Sequence, residues 1–317
     1  MLIAAVISAL PGCAWQGSGT DNGSAEVSAT PSAAAVQTAE PQATAVNTPA
    51  PGTEPPQLAA FVDPAKLKSI FGFADETGSR ILATLPDEGY SEQMKPLNIA
   101  IGNGGQVLTV KFDKYQPGSD NTNGRELANN IANLSGYLFT VVSGKAEPDE
   151  TYYLADSGKL PPAALLEIEP AAADANAKQL SADDPVRESI AKLKQREIQS
   201  AWKLAGLGTG RELYLVQFIR QDKDMLFSLV LYEDGKLSFQ DYPAEIQDNE
   251  YSVWRVDDGG EIRPEMFSLL FAAESADGLL LGLNWWGAEG VNTFFLLQKG
   301  NAFTELDINY SRYTSPI

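Results

Sequence analysis

From residue 211 onward, short apolar runs follow one another at close intervals with turn residues between them. ELYLVQFIR, MLFSLVLYE, KLSFQDY, YSVWRV, MFSLLFAAE, LLLGLNWW, NTFFLLQ and FTELDI each have the length and the β-branched or aromatic content of a strand. Asp234-Gly235, Asp277-Gly278, Glu289-Gly290 and Lys299-Gly300-Asn301 separate several of them. Asp-Gly between apolar strands favours a two-residue hairpin, because both turn positions need positive φ. The pattern predicts a long C-terminal β-meander, arranged as a sandwich, a curved sheet or a partial propeller.

One segment before the meander has helical period. Asp184 caps, Pro185 starts, and a helix is predicted from 185 to 205, ending before Gly206. Val186, Ile190, Leu193, Ala201 and Leu204 share a stripe, widened by Ile198 and Trp202, with Glu188, Lys192, Arg196, Gln199 and Lys203 opposite. Further upstream, Asp63-Pro64 followed by AKLKSIF and Gly72 reads as a short helix. LNIAIG and QVLTVKF flank Asn103-Gly104-Gly105 as a hairpin, PGSDNTNG leads into a helix near 124–134, and YLFTVVSG, TYYLAD and ALLEIE read as strands. The expected class is α+β, predominantly antiparallel β, with that one clear amphipathic helix. The Ala/Asp-rich stretch 170–184 divides the expected folded part into subdomains 58–180 and 181–317, which could equally form one domain.

Residues 16–57 differ in kind. Ala, Thr, Pro, Ser and Gly dominate and Leu, Ile and Phe are missing, so too little apolar surface is available to offset chain entropy. A disordered linker over 13–57 is expected, with a root-mean-square reach of about 35–40 Å. Before it stands MLIAAVISALPGC, an apolar run of signal-peptide length, too short for the ~20 residues of a spanning helix. Leu10-Pro11-Gly12-Cys13 resembles the lipobox of bacterial lipoprotein precursors. The resemblance implies a signal peptide over 1–12, cleavage before Cys13, an acyl chain such as palmitate on its thiol, and a cell-membrane location facing outside the cytoplasm. Pro11 departs from the usual Ala, Ser, Thr or Val. No base precedes the run, the first being Lys66, which suggests a start placed too late or a shortened N-terminus.

Charge and composition narrow the chemistry. The 42 acidic and 23 basic residues give a net charge of -19. Such a surface repels phosphate backbones, so nucleic acid is not an expected partner. With no histidine, Ser-His-Asp and Cys-His catalysis and His-containing zinc sites are excluded. A single cysteine excludes an intramolecular disulfide and a Cys-rich metal cluster.

The candidate sites are few. Gly206-Leu-Gly208-Thr-Gly210 follows a predicted helix and opens a strand, the reverse of a phosphate loop, and reads as a C-cap and turn. Ser119-Asp120-Asn121-Thr122-Asn123-Gly124 is oxygen-rich but lacks the acid at position one and the Glu at position twelve of an EF-hand, so it reads as an Asx turn. Glu167 with Glu169, Asp257 with Asp258 and Glu261 with Glu265 are near in sequence, but a glycosidase needs two carboxylates at a set separation and a chain this acidic offers many chance pairs. They read as solvated surface, with Glu167 and Glu169 expected outward, opposite Leu166 and Ile168. Trp285 and Trp286 are adjacent on a strand and point to opposite faces, so one can fill the core while the other, with Asn284 and Glu289 nearby, forms part of a binding surface. The alternative, favoured by how buried Trp is on average, is that both lie buried under loops or a neighbouring layer. No catalytic, cofactor or metal residue is assigned. The sequence-level expectation is a non-catalytic envelope binding module, anchored to the membrane by lipid, with an envelope protein or glycan as partner. The alternative is an envelope hydrolase acting on carbohydrate through a carboxylate pair.

Overall fold

The structure is a computed structural model and describes residues 60–85, 87–171, 179–247 and 251–315. Cys13, the apolar run before it, the linker and residues 172–178 of the Ala/Asp-rich stretch lie outside the described residues.

Six strands, β1 (Phe71–Ala74), β2 (Arg80–Ala83), β3 (Ile99–Gly102), β4 (Gln106–Gln116), β5 (Gly136–Ser143) and β6 (Thr151–Ala155), close into a small antiparallel barrel in the order β1-β2-β5-β4-β3-β6. Alternation along each strand divides its side chains. Ala100, Tyr152 and Leu154 enter the barrel core with Ile81, Leu108, Tyr137 and Phe139. Their neighbours Ile99, Ile101 and Tyr153 point outward, against the second sheet. β1 and β2, absent from the sequence reading, are four residues long and buried almost throughout, so they offer no polar alternation to detect.

The second sheet has nine strands: β7 (Ile168–Pro170), β8 (Ile198–Leu207), β9 (Arg211–Phe218), β10 (Asp224–Glu233), β11 (Lys236–Glu245), β12 (Phe267–Ser275), β13 (Gly278–Trp286), β14 (Gly290–Lys299) and β15 (Ala302–Tyr313). Their order is β12-β13-β14-β15-β11-β10-β9-β8-β7. Leu207, Leu215, Phe227, Leu229, Leu281 and Leu296, from strands all round this order, share one core, so the sheet curls upon itself. Its two edges approach at a bridge between Leu165 and Ala273, and the Leu166 N–H donates to Ala272 O at 2.8 Å. The predicted meander is therefore the curved sheet of the three arrangements, rolled into a barrel-like form. A bulge between Leu269 and Phe271 lets β12 send Phe267 and Ala272 into that core and Leu270, Phe271 and Ala273 towards the small barrel. The β3–β4 turn joins the two sheets, with Gly104 and Gly105 N–H donating to Leu269 and Leu270 O at 2.9 and 2.7 Å.

Several local expectations change. The helix, α2, spans only Pro185–Lys194, following a single turn α1 (Ser91–Met94). Asp184 caps it as expected, accepting from Val186 and Arg187 N–H at 2.8 and 3.2 Å. Gln195 then turns left-handed (φ 50°) and β8 begins. As a strand, this segment buries two faces, Trp202 towards the sheet core and Ala201 beneath α2, where a continued helix would bury one stripe. Leu193 accordingly loses its expected partners and is 63% exposed. The glycines at 206–210 form the β8–β9 turn, Gly208 and Gly210 at positive φ, and cap no helix. The helix near 124–134 is a 3-10 helix, Ala128–Asn133, and that at Asp63 is a 3-10 turn, Pro64–Lys66. YSVWRV forms no strand. Asp234-Gly235 is the expected hairpin turn, at φ 48° and 80°.

Candidate functional site

β13 runs through the centre of the site. Leu279, Leu281, Leu283 and Trp285 alternate into the core of the curled sheet, while Trp286 continues the opposite face beyond Asn284. Trp285 is 9% exposed and Trp286 half-buried, so neither indole stands fully in solvent. Asn284 is buried, accepting from Thr293 Oγ1 at 2.6 Å and donating to Ser268 Oγ at 3.2 Å. It therefore holds strands together and contacts no open surface.

The segment 251–263 folds over this end of the sheet as a loop, and Asp258 shapes it. Its Oδ1 accepts from Val253 and Gly260 N–H, both at 2.9 Å, and its Oδ2 from Trp254 and Arg255 N–H at 2.7 and 2.8 Å. A carboxylate satisfying four amides from within the bend explains why VWRV leaves the strand pattern: its N–H groups turn inward to one acceptor instead of along a ladder. Asp257, Gly259 and Gly260 take positive φ to allow this. Gln217, itself buried, pins the far side by donating to Gly260 O at 2.8 Å and accepting from Ile262 N–H at 3.0 Å.

The loop delivers Trp254 and Arg255 onto an aromatic cluster. Phe227 stacks on Tyr242 with ring centroids 4.5 Å apart, and Trp285 stacks on Phe267 at 5.3 Å. Trp254 meets Phe227 edge-on and donates its Nε1–H to Tyr242 O at 3.0 Å. Arg255 lies 5.7 Å from the Trp285 ring centroid, and its Nη2 donates to Gly290 O at 3.0 Å. The guanidinium fits because residue 287 is glycine: a Cβ there would stand 2.4 Å from Arg255 Nε.

Three polar atoms in this cluster are sealed from solvent without a hydrogen-bond partner: Tyr242 Oη, Arg255 Nη1 and Trp285 Nε1. Each such group costs about 1–3 kcal/mol. Burial pushes Tyr242 well above the usual phenol range, and the Glu305 charge adds to this. Burial pulls Arg255 down, opposed by Asp258.

Clefts flank the cluster. Arg255, Trp254, Trp285, Glu289 and Asn292 border one of about 410 Å³, and Arg255, Trp286, Asp257, Asp258, Glu265 and Met266 border another of about 330 Å³. A third, about 240 Å³, has Tyr242, Trp285, Asn292 and Glu305 in its wall. Trp285 and Trp286 thus face different hollows, with Arg255 common to both.

No family model, curated protein or solved structure matches this chain. Its chemistry is read from the site alone. Of the carboxylate pairs, Glu167, just before β7, and Glu169, on it, are both exposed, with Leu166 and Ile168 against the core. Glu261 pairs with Arg263 at 2.9 Å. Asp257 and Asp258 differ sharply, one exposed and the other with both oxygens committed to the loop. In the Ser119 loop, Ser119 Oγ donates to Asn133 Oδ1 at 2.9 Å, and Asn123 Oδ1 accepts from Arg125 N–H at 2.9 Å, the local bonding of an Asx turn. Among the described residues no helix is long and apolar enough to cross a membrane. A separate hollow of about 420 Å³ lies at the sheet seam, walled mainly by apolar residues such as Ile168, Leu204 and Phe267, and by Glu150, whose carboxyl burial raises.

Sequence reasoning reached Trp285, Trp286 and Glu289 but missed Tyr242, Trp254 and Arg255. Trp254 and Arg255 sat within an apparent strand; the signal against it was Asp257-Asp258-Gly259-Gly260 directly behind, a turn-forming run.

Proposed function

We propose that the protein is a non-catalytic binding module of the cell envelope, held to the membrane by lipid on Cys13, with the Trp285–Trp286 end of its curled sheet as the contact surface. The carrying observation is Trp286, a half-buried indole on the rim of an open cleft, directly beside Trp285 on the rim of another. A large aromatic surface left accessible is favourable where a ring or partner covers it. The linker, with its reach, lets such a surface meet a neighbour in the envelope while the anchor stays in place. The strongly acidic balance argues for an uncharged, cationic or locally recognised partner and against nucleic acid.

Carbohydrate hydrolysis through a carboxylate pair ranks below this reading. Asp258, the most buried acid at the Trp286 cleft, is occupied by four backbone amides and is not free to exchange a proton with a substrate.

The test has two parts. Mass spectrometry of the mature protein from a lipoprotein-competent host is expected to find acylated Cys13 at the N-terminus, and Cys13→Ala is expected to release the protein from membranes. Purified folded part is then incubated with isolated cell envelopes, as wild type and as Trp286→Ala. Retention that drops with the variant supports the surface; equal retention, or none, removes it.

A further inference from the structure

The three unpartnered atoms around Trp285 identify what the contact surface accepts. Tyr242 Oη–H, Arg255 Nη1–H and Trp285 Nε1–H are all donors sealed from solvent, and no acceptor on the described chain reaches them. Trp285 is nine-tenths buried, so its N–H has no recourse to solvent. Among the described residues Arg255 forms no ion pair, although acids outnumber bases almost two to one and Arg211, Arg263 and five lysines do find carboxylates. Of the acids that border its two clefts, Asp258 spends both oxygens on backbone amides, and Asp257, Glu265 and Glu289 form no ion pair with it. A cation kept unpaired beside two clefts, with neutral donors packed against it, is arranged for an acceptor from outside.

We infer that this end of the curled sheet binds a carboxylated sugar, a uronic-acid unit of an acidic glycan, its carboxylate taken by Arg255 and its ring lying against the Trp286 indole. The inference rests on the binding-module reading and names the ligand class of the same surface. The Arg255 guanidinium makes one hydrogen bond, from Nη2 to Gly290 O, so turning Nη1 outward to an entering carboxylate breaks at most that one bond. Trp286 gives a half-buried apolar ring beside that charge, which suits the C–H face of a pyranose better than an acidic peptide. Asp257 and Glu265 border the Trp286 cleft together with Arg255 and Arg263, so acids and bases are matched at its rim once Asp258 is committed to its amides. Charges more than about 8 Å away are largely screened at physiological ionic strength.

The probe is a tetramer of galacturonic acid, titrated into the folded part and followed by calorimetry and tryptophan fluorescence. Its fully methyl-esterified form and a Glu-rich peptide are run beside it. The acid tetramer is expected to bind with a fluorescence change, and the ester to bind at least about tenfold more weakly, since charge-assisted bonds exceed neutral ones. Arg255→Met is expected to abolish the difference between acid and ester. Should that variant fold poorly, Gly287→Ala keeps the charge but crowds the guanidinium, and is expected to weaken the acid form alone. Equal binding of acid and ester, preference for the peptide, or no binding of the acid tetramer overturns the inference. Envelope retention that still depends on Trp286 would, in that event, leave the binding-module reading standing; loss of both would remove the two together.

Discussion

Replacing Asp258 by alanine tests whether one carboxylate builds the rim of the site. Four backbone N–H groups lie 2.7–2.9 Å from its oxygens. A hydrogen bond to a charged acceptor contributes about 1.5–3 kcal/mol net, giving an upper bound near 6–12 kcal/mol for the set. That bound is not reached, because Val253, Trp254 and Arg255 are partly exposed and their amides can recruit water once the carboxylate is gone. Gly260 is buried and its amide cannot do so readily, and the positive φ of Asp257, Gly259 and Gly260 then lacks its anchor. A net loss of about 2–4 kcal/mol is expected, or a fall in Tm of roughly 5–15 °C for a body of this size. The loop should also open ahead of the sheet, so limited proteolysis within 251–260 is expected to accelerate in the variant below its Tm. Differential scanning calorimetry and timed proteolysis read the two effects. A Tm within 2 °C of wild type together with unchanged cleavage would refute the claim that Asp258 organises this loop.

Three further outcomes follow from the packing. Arg312 is 3% exposed and donates to Thr151 Oγ1 at 3.1 Å, Glu126 O at 3.0 Å and Asp149 O, tying β15 to the small barrel; Arg312→Met leaves these acceptors unpaired and is expected to lose about 3–5 kcal/mol in guanidinium unfolding, and a loss under 1 kcal/mol would contradict this role. Burial pushes Tyr153 up to about 12 and holds Tyr214, Tyr242 and Tyr310 above the usual phenol range. The unfolded chain therefore loses phenolic protons first, so stability intact below about pH 10 falls as pH rises from 10 to 12, by ~1.4 kcal/mol per pH unit for each such group. Phenolate absorbance is expected to rise in step with loss of circular dichroism; titration of every tyrosine near pH 10 in a folded protein would count against it. Gln195→Gly relieves a left-handed residue at the end of α2 and is expected to stabilise by about 0.5–1 kcal/mol in urea unfolding, an idea lost if the variant is destabilised.

What could be read from the chain alone was local. Apolar runs of strand length, bounded by Asp-Gly and Gly-Asn turns, marked β9–β15 apart from the one false strand, because a strand buried on one or both faces must carry its apolar side chains in its own sequence. Adjacency of Trp285 and Trp286 on such a strand sufficed to send them to opposite faces. Closure of six strands into a barrel and curling of nine around one core were not legible, because both depend on which strand edges meet. β1–β6 and β11–β15 are pairings between segments distant in the chain. The end of α2 was decided in the same way. Residues 198–205 fit a helical stripe as well as a strand, and pairing with β9 chose the strand by burying both faces. The site itself was the least legible part. Tyr242, Arg255 and Trp285 are far apart in sequence, and their shared lack of partners exists only once a bent loop, held by Asp258, lays an unpaired arginine over Trp285. A sequence records which donors the chain has; only the fold decides which of them are left without an acceptor.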